Sequence, residues 1–420
     1  MTRSRAFIFA ASLAVCVART ATAASLGELL DEAARSNPDI AASLRAWRAA
    51  AQAPSQVSTM PDPEVTLQHV AVGSPRPFAG YSNSDFAYIG LGISQEIPYP
   101  GKLSLRAEAA QRDAAVARAK FEAAKQAVFE QVKAGYFQLA YIQKTLGILE
   151  HDQTLLDQIE RIAEARYRVG QGSQQDVLRA QLQKTKILNE LAHHHELMSS
   201  QQALMNKLLN RPPGAEEIEA GELTETSLRY TAEELLGKVR TENPDVTGGQ
   251  EMVRKQSLQV ELAGKDRYPD FTVQYQWEHT AEQFRDYYMV SLSARLPIYK
   301  KRKLDPEMTQ AVEELNQSRR EYESHVQQAY FEVKEQYIAA ETASRMLKIY
   351  REGLIPQTLA TFNAGIAGYE SGSQDFRTLL ASFLDVLNFD EEYWKTLADH
   401  ETAIARLEQL TGVSIRAGGE

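Results

Sequence analysis

Apolar residues recur along the chain with two different periods. Between Tyr88 and Ile97, Ile89, Leu91, Ile93 and Ile97 share one side, and Gly90, Gly92, Ser94 and Glu96 share the other. Phe271, Val273, Tyr275 and Trp277 repeat the alternation, as do Tyr288, Val290, Leu292, Ala294 and Leu296. A period of two is that of a strand with one apolar face. It predicts two strand pairs, 63–73 with 86–97 and 270–279 with 286–296, the stretch around Val65 and Leu67 being the least regular.

Elsewhere the apolar steps are threes and fours, as in Val128, Val132, Tyr136, Leu139, Ile142, Leu146 and Leu149, and again in Val326, Tyr330, Val333 and Tyr337. From Leu103 to Val169 this predicts one helix of 67 residues, roughly 100 Å long and too long for any compact core. The pattern stops at "YRVGQGSQQDVLRAQ", Tyr167 to Gln181, and resumes over Gln174 to Leu208. No proline explains the stop. Gly170 and Gly172, and likewise Gly372 in "YESGSQDFRTLLAS", predict the tip of a helical hairpin, where the chain reverses without a Cβ in the way. Gln174 to Leu208 followed by Thr231 to Lys265 is expected to form the first return path. Gln374 to Leu410, completed by the N-terminal helix Ser25 to Ala51, is expected to form the second.

These elements occur twice. Asn37-Pro38-Asp39 recurs at Asn243-Pro244-Asp245, a shift of 206; Ile97-Pro98 recurs at Leu296-Pro297, shifted by 199. Val132 and Tyr136 recur at Val333 and Tyr337, shifted by 201, and Tyr167 and Gly170 at Tyr369 and Gly372, shifted by 202. Landmarks in a kept order with a slowly drifting offset mark a duplication. The expected division is a leader (1–23), a first repeat (24–210), a polar Pro-containing excursion (211–230), a second repeat (231–412) and a tail (413–420).

Composition narrows the class. The 420 residues are 43% hydrophobic and 24% charged, which is not a disordered chain, and a net charge of −10 argues against nucleic-acid binding. Arg3 and Arg5 before an apolar run from Ala6 to Ala18, then Ala21-Thr22-Ala23, read as a secretory signal cleaved after Ala23. The alternative is lipidation at Cys16, the sole cysteine, which the bulky Val15 before it disfavours. After the leader no apolar stretch is long enough for a membrane helix, so any membrane entry is by strands. Strands of about ten residues span an outer membrane when tilted, and Tyr275, Trp277, Tyr287 and Tyr288 fall where an aromatic girdle would sit. A soluble sheet with one buried face would show the same alternation. Four strands cannot close a barrel, so chains must pool them; two copies give eight, three give twelve, and a wide duct suits the larger number.

With the repeat, the "NPD" pair, the strand pairs and the "YxxGxxxxxDVLxAQ" tip, nearly the whole mature chain resembles the TolC-type outer-membrane factors. "ISQEIPYPGKLSLRAEAA" (Ile93 to Ala110) and "LADHETAIARLEQLTG" (Leu397 to Gly412) resemble the heavy-metal branch of that family. The resemblance implies a mainly α fold with a β-barrel portion: a long α-helical barrel and a transmembrane β-barrel, with two tandem structural repeats per chain, closed as a homotrimer. It implies a periplasmic adaptor and an inner-membrane pump of the resistance-nodulation-division type as partners, with outer-membrane lipid around the strands. It assigns the tip, gate and adaptor contact to Gly170, Gln171, Gly172, Ser173 and Asp176 with Gly372, Ser373, Gln374 and Asp375. Leu178, Leu379 and Leu380 also match tip positions. Where the family often has an acid in the second tip, this chain has Thr378, and Asp375 lies three residues earlier. Either acid could form the gate ring, or be a first-turn or capping acid. The lipid-facing set is Ile89, Leu91, Ile93, Phe271, Val273, Tyr275, Val290 and Leu292.

Other chemistry is thin. His193, His194 and His195 point about 100° apart on a helix and cannot share one ion. His193 with Glu196 is the best pair, but two ligands make a poor site, and a solvated run is the expected reading. Phosphate loops, a nucleophile elbow and HExxH are absent, so no catalytic residue, metal site or cofactor is assigned. Lys102, Arg319 and Arg320 are expected at exposed helix faces or the strand-to-helix junction. The function expected is a passive outer-membrane exit duct for heavy-metal cations. The alternatives are a drug or polypeptide duct of the same build, or a soluble periplasmic coiled-coil scaffold.

Overall fold

The structure is a computed structural model that describes residues 25–73, 76, 84, 86–280, 283 and 285–415. The expected leader with Cys16, and residues 416–420 of the expected tail, lie outside the described residues. Helices α1 (Leu26–Ser36), α2 (Pro38–Ala50) and α3 (Ala53–Ser58) precede strands β1 (Glu64–Val70) and β2 (Tyr88–Ile97). Then come α4 (Lys102–Arg168), α5 (Gln174–Leu208), α6 (Ala232–Glu242) and α7 (Pro244–Lys265), strands β3 (Asp270–His279) and β4 (Tyr287–Arg295), and α8 (Asp305–Ile349), α9 (Ile355–Ser371) and α10 (Phe376–Thr411). β1 and β2 are shorter than the periodicity predicts. At their loop ends the alternation loses its phase: Val72 and Phe86 have the parity of the polar-face positions Gln68 and Gly90.

The strands form one antiparallel sheet in the order β1-β2-β3-β4, which leaves β1 and β4 as edges within a single chain. Cross-strand partners share a face, and the register joins Val65 to Ile93, Ile93 to Tyr275 and Tyr275 to Val290. Leu91, Ile93, Val273, Tyr275, Val290 and Leu292 are exposed on this face, with Ile89 and Phe271 half-buried. The opposite face is polar. There Gln276 donates to Gln68 (2.6 Å) and to Glu278 (3.0 Å), across the side-chain-free path left by Gly90 and Gly92 of β2.

The helix α4 runs unbroken for 67 residues. Its counterpart does not. A π-helical turn at Tyr350–Leu354 separates α8 from α9, and another at Lys300–Leu304 precedes α8. Each falls where the repeat offset steps, from 199 to 201 between Leu296 and Val333 and from 201 to 202 between Tyr337 and Tyr369. A π turn widens the helix to absorb one inserted residue while the flanking segments keep their faces, which matches the single-residue step at Tyr350–Leu354 and takes up one of the two residues at the earlier step. Pro356, which has no N–H and crowds the carbonyl four residues back, lies just beyond the second π turn.

Two expected segments are also cut, by the same motif. Asn37 ends α1 and caps α2, its Oδ1 accepting from Asp39 N (2.9 Å) and Ile40 N (3.1 Å); Asn243 does the same between α6 and α7, with Asp245 N and Val246 N both at 3.0 Å. Proline at the first helical position has no N–H to strand, so Asn-Pro starts a helix cleanly.

The side-chain amides of these asparagines correct the expected return paths. Asn37 Nδ2 donates to Leu208 O (2.8 Å), and Asn243 Nδ2 donates to Leu410 O (2.9 Å). The end of α5 therefore abuts the start of α2, and the end of α10 abuts the start of α7. The pairing expected from chain order is crossed. The chain reaches the other column through the 211–230 excursion, which is stitched to the helices by two glutamines. Gln202 bonds both Ile218 O (2.8 Å) and Ile218 N (3.0 Å), and Gln143 bonds Ile218 O (3.2 Å) and Ala220 N (3.1 Å).

Candidate functional site: the paired hairpin tips

Each tip begins with a glycine in the left-handed region, Gly170 at φ 73° and Gly372 at φ 78°. There the Gln171 and Ser373 N–H groups reach back to Arg166 O (2.8 Å) and Gly368 O (2.9 Å), satisfying carbonyls that the ending helices would leave bare. Gly172 is required for a different reason, since a Cβ there would lie 3.0 Å from Arg166 Cβ.

The helices that leave the tips are capped by mirror-image chemistry. In the first, Ser173 Oγ accepts from Gln175 N (3.0 Å), while Asp176, in the first turn, reaches back to Ser173 N (3.4 Å). In the second, Asp375 is the cap and accepts from both Thr378 N (2.8 Å) and Thr378 Oγ1 (2.6 Å). Acid and hydroxyl have exchanged places at positions 202 residues apart, 173 with 375 and 176 with 378. This accounts for Thr378 standing where an acid was looked for. The Thr378 bonds hold the Asp375 carboxyl below its usual range.

The two tips of one chain are tied by a residue that the sequence reading did not single out. The Arg166 guanidinium donates to Tyr369 O, to Glu370 O (2.9 Å) and to Gln171 O (3.0 Å), and lies 4.9 Å over the Tyr369 ring. The Tyr369 hydroxyl in turn meets Asp176 Oδ2 at 3.4 Å. Tyr369 is 3% exposed, and burial with the nearby Asp176 charge pushes its hydroxyl up to about 12, against the pull of Arg166. Its repeat partner Tyr167 is 47% exposed. The signal that could have found the tie is that asymmetry: Arg166 corresponds to Gly368, so the repeat departs from itself there. Beneath the tie, Leu156, Ile159, Ala180, Phe362, Phe376 and Leu379 form a buried cluster joining both hairpins. Gly170, Gln171, Ser173, Gly372, Ser373 and Asp375 are exposed at the outer end, with Gly172, Asp176 and Gln374 half-buried beside them.

Other predicted residues sort differently. Lys102 is at the strand-to-helix junction but is 3% exposed, held by Asp266 and Asp270 at 3.0 Å each. Arg320 pairs with Glu323 on an open face (2.7 Å). The histidine run is not uniformly solvated: His193 and His195 are exposed, whereas His194 is buried, with Nδ1 3.0 Å from Glu190 O, because its side of α5 faces α4 and α10. His193 and Glu196 stand 3.9 Å apart. Among the described residues no three of His, Cys, Asp and Glu converge to hold a metal ion, and no helix is long and apolar enough to cross a membrane.

One four-stranded sheet with an exposed apolar face, two strands from each repeat, is thus set on helices as long as 67 residues. The profile of the outer membrane efflux protein family matches residues 29–211 and 235–413, most of the chain and once per repeat. The chain belongs to the outer membrane efflux protein family. Its fold is that of the family's solved channels. The outer membrane protein VceC of Vibrio cholerae superposes with a TM-score of 0.78 at 16% identity, covering 93% of this chain and 97% of that one. The outer-membrane channel OprN gives 0.80 at 16% identity, covering 93% and 91%. CusC gives 0.80 at 13%, covering 92% of each. In sequence, the chain is 23% identical over 317 residues to the cobalt-zinc-cadmium resistance protein CzcC of Cupriavidus metallidurans, 74% of each chain. This efflux family is one of non-enzymatic channels of the outer membrane, and that is the class and location of this protein.

Proposed function

We propose that three copies of this chain form the outer-membrane exit duct of a tripartite pump, receiving heavy-metal cations from an inner-membrane transporter of the resistance-nodulation-division type through a periplasmic adaptor. Twelve pooled strands would remove the open edges of β1 and β4, which lipid does not tolerate. The lipid-facing set would be Ile89, Leu91, Ile93, Phe271, Val273, Tyr275, Val290 and Leu292. The relation to CzcC supports metal cations as cargo over drugs or polypeptides.

Gating is assigned to the tips, Gly170–Asp176 and Gly372–Asp375. The observation that carries this is the Arg166–Tyr369–Asp176 tie, which fastens the two hairpin ends of a chain with few and partly exposed contacts. A passive duct needs no coordinated metal, only a path lined by oxygen-bearing groups and a releasable constriction. The experiment is a deletion strain challenged with cobalt, zinc and cadmium salts and with a panel of drugs. Selective metal sensitivity, restored by the gene, supports the reading. Selective drug sensitivity replaces the cargo and keeps the duct, and a protein that extracts as a detergent-free soluble species removes both.

A further inference from the structure

Four consecutive cations, Lys300, Lys301, Arg302 and Lys303, follow β4 in a chain of net charge −10. All four are exposed, and among the described residues none has an ion-pair partner; the neighbouring acid Asp305 is taken by Arg267 at 3.0 Å. Their π-helical turn buries Leu304 and leaves the four charges on the remaining arc. Immediately before them Leu296, Ile298 and Tyr299 are each about two-thirds exposed (65%, 68% and 68%), and Leu296 prolongs the apolar face of Val290 and Leu292. The same end of the sheet shows the same order at its other junction. Tyr99, after β2, stacks on Tyr268, before β3, at 4.5 Å, and Lys265 lies 5.7 and 6.0 Å over the two rings. A cavity of about 350 Å³ opens between Tyr268 and Tyr299. Arg295 and Lys303 wall it, with Asp266, Asp270 and Glu307; the two aspartates are already held by buried Lys102.

Apolar strand, then tyrosine, then cation is the profile of a bilayer edge read outward from its core. We propose that this rim binds anionic phospholipid headgroups of the leaflet adjoining the helices, with Lys300–Lys303 as the electrostatic contact and Tyr299 and Tyr268 flanking the headgroup. The inference rests on the outer-membrane location and not on the cargo. A second copy is the rival partner, since Asp62 and Glu64, exposed at the start of β1, would approach the end of β4 in a closed barrel. Two acids leave two of the four cations unmatched, which favours lipid.

The test is native mass spectrometry of the detergent-purified full-length protein, titrated with phosphatidylglycerol or with phosphatidylcholine. The wild type should retain phosphatidylglycerol about tenfold better, a preference that falls between about 50 and about 500 mM salt and is not competed by inorganic phosphate. The fourfold variant K300Q/K301Q/R302Q/K303Q should bind the two lipids equally. Should it fail to assemble, K300Q/K301Q alone should lose part of the preference. An unchanged preference in the variant, or none in the wild type, overturns the proposal. So does D62N/E64Q matching the fourfold variant in lost oligomer stability while lipid preference is absent, which would assign the cations to the seam between copies. Because lipid retention is read on purified protein, its failure leaves the export reading standing.

Discussion

The Tyr369 hydroxyl stands 3.4 Å from Asp176 Oδ2, so the last turn of α9 touches the first turn of α5 across the two halves of the duplication. That contact is long and weak; the stronger half of the tie is Arg166, which is bonded to three carbonyls. R166A should therefore loosen the tips more than Y369F. A loss of about 1.5 kcal/mol at a half-buried charged donor corresponds to roughly a tenfold shift toward the open state. Planar-bilayer recordings should show higher open occupancy in R166A, a smaller rise in Y369F, and no change in the heat stability of the assembled protein.

Asp375 has two separable roles, a helix cap and a charge at the tip. D375N keeps an oxygen for Thr378 N and removes the charge, whereas D375A removes both. If the charge concentrates cations, D375N alone lowers cation preference in reversal-potential measurements. If only the cap matters, D375N behaves as wild type and D375A frays the start of α10, seen as faster amide exchange at Phe376 to Leu379.

Asn243 both caps α7 and holds the end of α10. N243A removes all three side-chain bonds and leaves Leu410 O without its donor, so it should cost about 2 kcal/mol and lower the melting temperature. N243D keeps the cap but puts a carboxylate against a carbonyl, and should be no better. N37A should match N243A, because the geometry is the same at Leu208.

Asp152, 3% exposed on α4, has an oxygen with no hydrogen-bond partner, and burial pushes its carboxyl up to about 6, with Asp390 nearby adding to the rise and His151 opposing it. An acid that titrates higher folded than unfolded binds a proton on folding, so stability rises as pH falls through about 6 and levels off near the unfolded value of about 4. The full span is about 3 kcal/mol. Melting curves from pH 7.5 to pH 4.5 should show the rise in the wild type, and D152N should reduce it while melting higher than wild type at pH 7.5, the remainder coming from Glu130, Asp390 and Asp399, which burial also raises. Equal slopes in the two proteins would remove Asp152 as a source.

Much of the architecture was legible because its signals are local and periodic. The alternation at Ile89 to Ile93 and at Phe271 to Tyr275 is a property of the backbone pleat, and the 67-residue run of α4 is a property of the 3.6-residue turn. The offset steps carried the π turns as well, although nothing in a one-dimensional count says whether an extra residue is looped out or wound in. The tie at the tips was not legible. Arg166 and Tyr369 are 203 residues apart, and only their juxtaposition gives either a role.

The duplication, the hairpin tips with their glycines, and the apolar face of each strand were determined by the sequence itself, because each follows from bond geometry within a few residues. Which column of helices stacks on which, the burial of Lys102, and the locking of Arg166 over Tyr369 were decided only in three dimensions. Those outcomes depend on where distant segments arrive, and the crossing of the two return paths at Asn37 and Asn243 is set by packing between helices that chain order alone does not rank.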